Sequence, residues 1–317
     1  MAPLSGYTDL PYRRSLRRHG CRYAFTEMID AASLAHAADR QSPLLRRGGD
    51  EGFLGVQLVG SDPEWLKISI DAVNEHDFDV LDFNLGCPVA KVAKKGAGAA
   101  LGRNIDRALA LFALFRERSR HPISAKIRIL SETDPAPTLE LVRGLAGLGA
   151  RAVTIHGRVK EAFYSGVVHY ELIRLAAAAV PIQIVGNGGI MGLESYARMR
   201  EASGCRAVML ARGAMGNPWL FRELAGGDAY VPPALAEFLA EVELHVGEMV
   251  EFYGEAAAMK MARKIVHDYF RGRGFAGEFR AQASHLATFD DLRRMLAAAP
   301  AHFHPISRPA DRRLRAD

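Results

Sequence analysis

The sequence predicts an α/β protein: a TIM-type (β/α)8 barrel followed by an all-α helical domain. Three observations predict it. Seven short apolar runs recur along the chain, with helical stretches between them. Their starts lie about 25 to 45 residues apart, the repeat of a βα unit. A linker, GGDAYVPPALA (Gly226–Ala236), then leads into helical stretches with no strands among them.

The runs are Tyr23–Glu27, Phe53–Leu58, Val80–Asn84, Ile123–Ile129, Ala152–His156, Ile182–Asn187 and Ala207–Ala211. They are continuously apolar, as strands buried on both faces of a parallel sheet are. Pro63–Asn74, Asp106–Arg118, Leu139–Leu148 and Leu193–Glu201 read as helices between them. An eighth strand belongs just before Pro3, so the first barrel strand is expected to be truncated at the N-terminus. The rival fold is an open doubly wound sheet, but no GxGxxG follows an early strand. The barrel is expected over residues 1–229. Leu235–Tyr253, Ala256–Arg271 and Ala276–Ala299 carry helical spacing, so a helical domain with a basic C-terminal tail is expected over 230–317.

Composition narrows the function. With 317 residues, 49% of them hydrophobic, the chain can bury a large core unaided. A net charge of +5 favours an anionic partner, although an arginine-rich solvated surface gives the same total. Cys21, Cys87 and Cys205 are far apart, with no CxxC and no Cys/His cluster. Neither a disulfide framework nor a metal site is expected. No signal peptide or membrane span is read, and a cytoplasmic monomer is expected.

In a barrel the chemistry sits at the C-terminal ends of the strands. Those ends carry Glu27, Gln57, Asn84 with Cys87, Lys126 with Arg128, His156 with Arg158, Asn187 and Arg212. GNGGI (186–190) and ARGAMG (211–216) follow the last two strands, where this fold binds phosphate, though glycine also serves ordinary turns. Cys87 stands in DFNLGCPVAKVAKKGAG, beside three of the chain's eight lysines, Lys91, Lys94 and Lys95. It reads as an inert thiol, a nucleophile or a proton donor. In MKMARKIVHDYFRGR, Lys260, Arg263, Lys264, His267 and Arg271 share one helix face. That face is either simply solvated or the footprint of an anionic polymer.

Taken together these pieces resemble the tRNA-dihydrouridine synthases, FMN-dependent barrels that reduce uridines in tRNA. The matching motifs are APLSGYTD (2–9), TEM (26–28), VQLVGSDP (56–63), NLGCPVAKVAKKGAGAALG (84–102), AKIR (125–128), TIHGR (154–158), NGGI (187–190) and GNPWLFRE (216–223). The lysine-bearing loop and the ARK of the helical domain point to the bacterial B-type subgroup.

The resemblance implies a role for each matched position. Pro3, Leu4 and Ser5 would line one edge of the flavin. Gln57 and Lys126 would contact its ring, with His156 beside it. Asn187, Gly188, Gly189, Ala211 and Arg212 would hold the phosphate. Asn84 would support the substrate side. Cys87 would protonate uracil C5 after C6 has received a hydride. Lys91, Lys94, Lys95, Arg158, Lys260, Arg263, Lys264 and Arg271 would meet RNA. NADPH or NADH would be the reductant. The sequence departs from the family at Gly189, usually acidic, at Ala211, usually glycine, and at Val159, usually threonine. These departures are expected to bear on cofactor affinity.

Two other functions share parts of this pattern. A flavin-dependent barrel oxidoreductase acting on a free pyrimidine would not need the basic helix. A flavin-free RNA-binding protein would lack visible flavin absorbance.

Overall fold

Seven parallel strands follow one another around the sheet in sequence order. They are β1 (Ala24–Asp30), β2 (Leu54–Val59), β3 (Val80–Leu85), β4 (Ile123–Arg128), β5 (Ala152–His156), β6 (Gln183–Asn187) and β7 (Ala207–Met209). The computed structural model describes residues 1–36 and 42–305. A doubly wound sheet reverses its strand order at a switch point. This sheet never does, so the TIM-barrel-like reading holds. Every predicted run falls on a strand. β1 continues three residues beyond its prediction to Asp30, and β7 ends earlier, at Met209.

The eighth position is filled without a strand. The Ala2 N–H donates to Leu210 O at 2.7 Å, and the Met1 amine donates to Tyr23 O at 2.6 Å. The opening residues therefore bond to the chain just past β7 and just before β1.

α1 (Leu10–Arg18) precedes β1. The crossovers are α2 (Pro63–Val73), α3 (Ile105–Arg118), α4 (Ala136–Gly147), α5 (Tyr170–Ala179) and α6 (Leu193–Ser203). Local chemistry sets their ends. The Asp62 carboxylate accepts the Glu64 and Trp65 N–H groups ahead of α2, whose first residue is proline. Asn104 caps α3, and Gly204 ends α6 in the left-handed region at φ 66°. Val56, Leu58, Leu81, Phe83, Ile127 and Ile155 are fully buried in the core.

α7 (Leu235–Tyr253) and α8 (Glu255–Phe270) open the C-terminal helical region. The third predicted helix, Ala276–Ala299, is broken. α9 (Gly277–Ala281) runs into a 3₁₀ turn, and α10 (Phe289–Ala298) starts afresh. The cause is a capping box: the Thr288 hydroxyl accepts the Asp291 N–H while the Asp291 carboxylate accepts the Thr288 N–H. The expected basic tail lies outside the described residues from 306 onward.

The helical region packs on the barrel through partly buried polar contacts. Tyr7 Oη donates to Asp268 at 2.7 Å, Tyr253 Oη to Asp9 at 3.0 Å, and Arg18 to Glu241 and Glu248. Gly216 has φ 58°, and a Cβ there would lie 2.2 Å from the Asp268 carbonyl carbon. At this point the two backbones touch.

Candidate active site

A cavity of about 580 Å³ opens at the C-terminal ends of the strands. Pro3, Leu4 and Ser5 form one edge. That segment is pinned from below: the Leu4 N–H donates to Thr8 Oγ1, and the Gly6 N–H donates to the buried Glu27 carboxylate.

A second wall carries the thiol. The penultimate residue of β3 is Asn84, whose side-chain carbonyl accepts the Gly86 and Cys87 N–H groups at 3.1 and 2.8 Å. This Asx-type turn delivers Cys87 to the cavity. Asn84 is itself oriented from behind: its Nδ2 donates to Gln57 Oε1 at 2.7 Å, and Gln57 Nε2 donates to Asp82 at 2.7 Å. The Ser124 hydroxyl donates to the other Asp82 oxygen. Burial raises Asp82 to about 6, against the opposing pull of Gln57, Ser124 and Lys126. Gly98 closes the loop over the turn at φ 61°, where a Cβ would lie 2.7 Å from Cys87 O. Burial pushes the Cys87 thiol up, only partly opposed by the Val89 amide, Arg128 and Lys126.

The third wall is cationic. Lys126 donates to Asn187 Oδ1 at 3.0 Å, and Asn187 Nδ2 donates to Met209 O at 2.7 Å, tying β4, β6 and β7 together. Arg128 donates to Gly86 O and Val159 O. Arg212 donates to Tyr164 O at 3.0 Å and lies 4.5 Å from the Tyr164 ring centre. Arg158 donates to Gly166 O, with its Nη1 3.4 Å from His156 Nε2. Burial lowers Lys126 to about 8, and repulsion from Arg128 adds to the effect. Burial and then these four cations hold His156 well below its ordinary value, so its imidazole is neutral. Among the described residues the only acid lining the cavity is Asp30, at the mouth and paired with Lys95 at 2.8 Å. Only Asp82, behind Lys126, opposes this wall from within, and an anionic ligand would supply the counter-charge its cavity side lacks.

Glycines shape the same wall. Gly188 has φ 127°, and a Cβ there would lie 2.9 Å from His156 Cδ2. Gly189 has φ 68° and sits beside Arg158 with no carboxylate of its own. Their backbones can approach a phosphate closely. Donors, charge and cradle all suit an anionic cofactor of flavin-mononucleotide type.

The structure brings most of the sequence-predicted residues together here and leaves some apart. Lys91 and Lys95 line the mouth, while Lys94 is exposed and outside it. Gln57 is fully buried behind Asn84 and does not line the cavity. Arg158 is buried behind its rim. The α8 cations lie outside the cavity: Lys260 is exposed, Arg263 donates to Leu286 O, and Arg271 pairs with Asp268 at 3.3 Å. Lys264 reaches back, its Nζ 4.2 Å from the ring centre of the cavity-lining Tyr7. Asp82 and Tyr164 were missed as site residues. Asp82 had a signal, a lone charge inside the apolar strand VLDFN. Tyr164 had none, because its cation partner is 48 residues away.

The family model for dihydrouridine synthase (Dus) matches residues 1–303. The chain belongs to the dihydrouridine synthase family. Membership places it among oxidoreductases. It is 30% identical over 306 residues to tRNA-dihydrouridine synthase B of Proteus vulgaris, covering 95% of this chain and 94% of the relative. It is 31% identical over 295 residues to tRNA-dihydrouridine synthase B of Vibrio cholerae, covering 92% and 91%. Among solved structures, histamine dehydrogenase from Rhizobium sp. 4-9 superposes with a TM-score of 0.54 at 10% identity. That match covers 92% of this chain and 61% of the solved one, and it bears on the fold alone.

Proposed function

We propose that this dihydrouridine synthase family member reduces specific uridines of tRNA to 5,6-dihydrouridine, with FMN as cofactor and NADPH or NADH as reductant. The observation that carries the reading is the pairing, in one cavity, of Cys87 with a cationic wall that no acid lines. The B-type names of its relatives support the same substrate.

On this reading Asn187, Gly188, Gly189, Ala211 and Arg212 hold the cofactor phosphate. Pro3, Leu4 and Ser5 flank the ring, Lys126 and His156 stand beside it, and Gln57 supports from behind. When bound, a flavin would supply the hydride for uracil C6. Cys87 supplies the proton at C5. A thiol raised by burial keeps its proton at neutral pH, which suits an acid and not a thiolate nucleophile. His156, held neutral, is available to hydrogen-bond without adding charge.

The target base leaves its stack to reach the cavity. Asn84 supports it there. Lys91, Lys94, Lys95 and Arg158 meet the backbone around the mouth. Residues 1–229 form the catalytic part, and residues 230–317 grip RNA through Lys260, Arg263, Lys264 and Arg271.

Cys87→Ala tests the assignment. The variant keeps its flavin absorbance and is bleached by NADPH at the wild-type rate. Dihydrouridine in tRNA falls roughly 10²- to 10⁴-fold. Full product formation by Cys87→Ala overturns the proton-donor role, and a wild-type protein without flavin bands overturns the cofactor.

A further inference from the structure

We propose that Phe163 is a stacking platform for an unpaired RNA base beside the uridine held in the cavity. The inference rests on the tRNA reading above and adds a contact to it. Among the described residues Phe163 is the only non-glycine with positive φ, at 50°. A bulky residue in the left-handed region is strained. Such strain persists only where the surroundings over-determine it, and it gathers at functional sites.

The loop is held from several sides. The Phe163 N–H donates to Lys160 O at 3.2 Å, and the Ser165 N–H donates to Ala162 O at 2.8 Å. Arg158 donates to Gly166 O through two nitrogens. Arg212 donates to Tyr164 O, and Glu161 pairs with Arg103 across the rim. The strain presents an aromatic ring to solvent. Phe163 is 42% exposed and stands edge-on to Tyr164, with ring centres 4.9 Å apart and an 86° angle.

Tyr164 lines the cavity. Its ring is flanked by Arg212 at 4.5 Å and Arg128 at 5.7 Å. Phe163 is the neighbouring ring, and among the described residues no cation lies over it. An exposed aromatic beside a cationic rim matches single-stranded nucleic acid: cations track the phosphates and the ring takes a base face. A purely apolar partner would bring no anion to Arg212 and Arg128 beside Tyr164. An RNA strand entering the cavity compensates them.

The test compares three variants in full-length protein with tRNA as probe. Phe163→Asn tolerates the left-handed backbone and removes the ring. Phe163→Leu keeps the backbone strain and removes the ring. Phe163→Trp keeps a stacking face. All three are expected to retain flavin content and NADPH-driven bleaching. Asn and Leu raise Kd and KM for tRNA roughly 5- to 100-fold with little change in kcat, and Trp binds as wild type or tighter. Wild-type binding by both Asn and Leu overturns the inference, as does equal weakening by Trp and Leu. If the wild-type protein neither binds tRNA nor forms dihydrouridine, the functional reading falls and this inference falls with it. If wild type does both and only the variants fail to differ, the stacking role alone is lost.

Discussion

The Asn84 side-chain carbonyl accepts the Cys87 amide at 2.8 Å, so the end of β3 and the thiol-bearing turn move as one unit. Asn84 cannot turn its amide around. Its other end donates to Gln57, and Gln57 in turn donates to an acidic group, Asp82. The polarity of the chain runs from the carboxylate to the turn.

Asn84→Ala removes the acceptor for two backbone N–H groups. The turn loosens, and a 1 Å misplacement of a catalytic group is costly. Dihydrouridine formation is expected to fall roughly 10- to 100-fold, while NADPH-driven bleaching of the flavin is unchanged. Alkylation of Cys87 by iodoacetamide speeds up in the same variant. Equal loss in both half-reactions would refute the positioning role.

Lys126 makes a stability prediction. Its folded value is about 8 against an ordinary 10.5, so between these the unfolded chain binds more protons than the folded one. Flavin-free wild-type protein therefore gains stability from this site as pH rises from 8 to 10.5. Relative to Lys126→Met the gain reaches at most roughly 3 kcal/mol. Urea denaturation across that window reads it. Parallel curves for the two proteins would contradict it.

The loop lysines are tested by salt. Replacing Lys91, Lys94 and Lys95 with alanine removes up to three phosphate contacts, but Lys95 already has Asp30 as a partner. The slope of log K against log salt for tRNA is expected to drop by about 1.5 to 2. An unchanged slope returns these lysines to an ordinary solvated loop.

Gly216→Ala addresses the contact between barrel and helices. The new Cβ meets backbone atoms of Asp268 and Tyr269 at 2.2 to 2.4 Å, at a φ of 58°. Neither backbone can rotate out of the way. A loss of roughly 2–4 kcal/mol is expected from overpacking and left-handed strain together. A denaturation midpoint equal to wild type would show that the interface yields.

The strands were legible because two-sided burial writes them as apolar runs, and each pairs with its neighbour in sequence. The break at Thr288 was missed, because helical periodicity on either side of it masked the capping box. Most strand-end residues gather at one cavity, yet the register that pairs Gln57 with Asp82 sets Gln57 a layer below Asn84, out of the cavity. Charge partners were the least legible. The Arg212–Tyr164 and Lys126–Asn187 contacts join residues that only the curl of the sheet brings together. Phe163 carries no signal at all, since nothing in the letters AFYSG announces a left-handed backbone.

At Gly216 itself, backbone meets backbone, and no side chain stands there between barrel and α8 to act as a cushion. Together with the Tyr7–Asp268 and Asp9–Tyr253 bonds, it makes the molecule a gauge with a fixed opening. Any partner that touches both the cavity rim and the exposed face of α8 has to bring the correct span with it. Adaptation then falls to the partner, and a molecule of the right chemistry but the wrong reach is turned away by its dimensions alone.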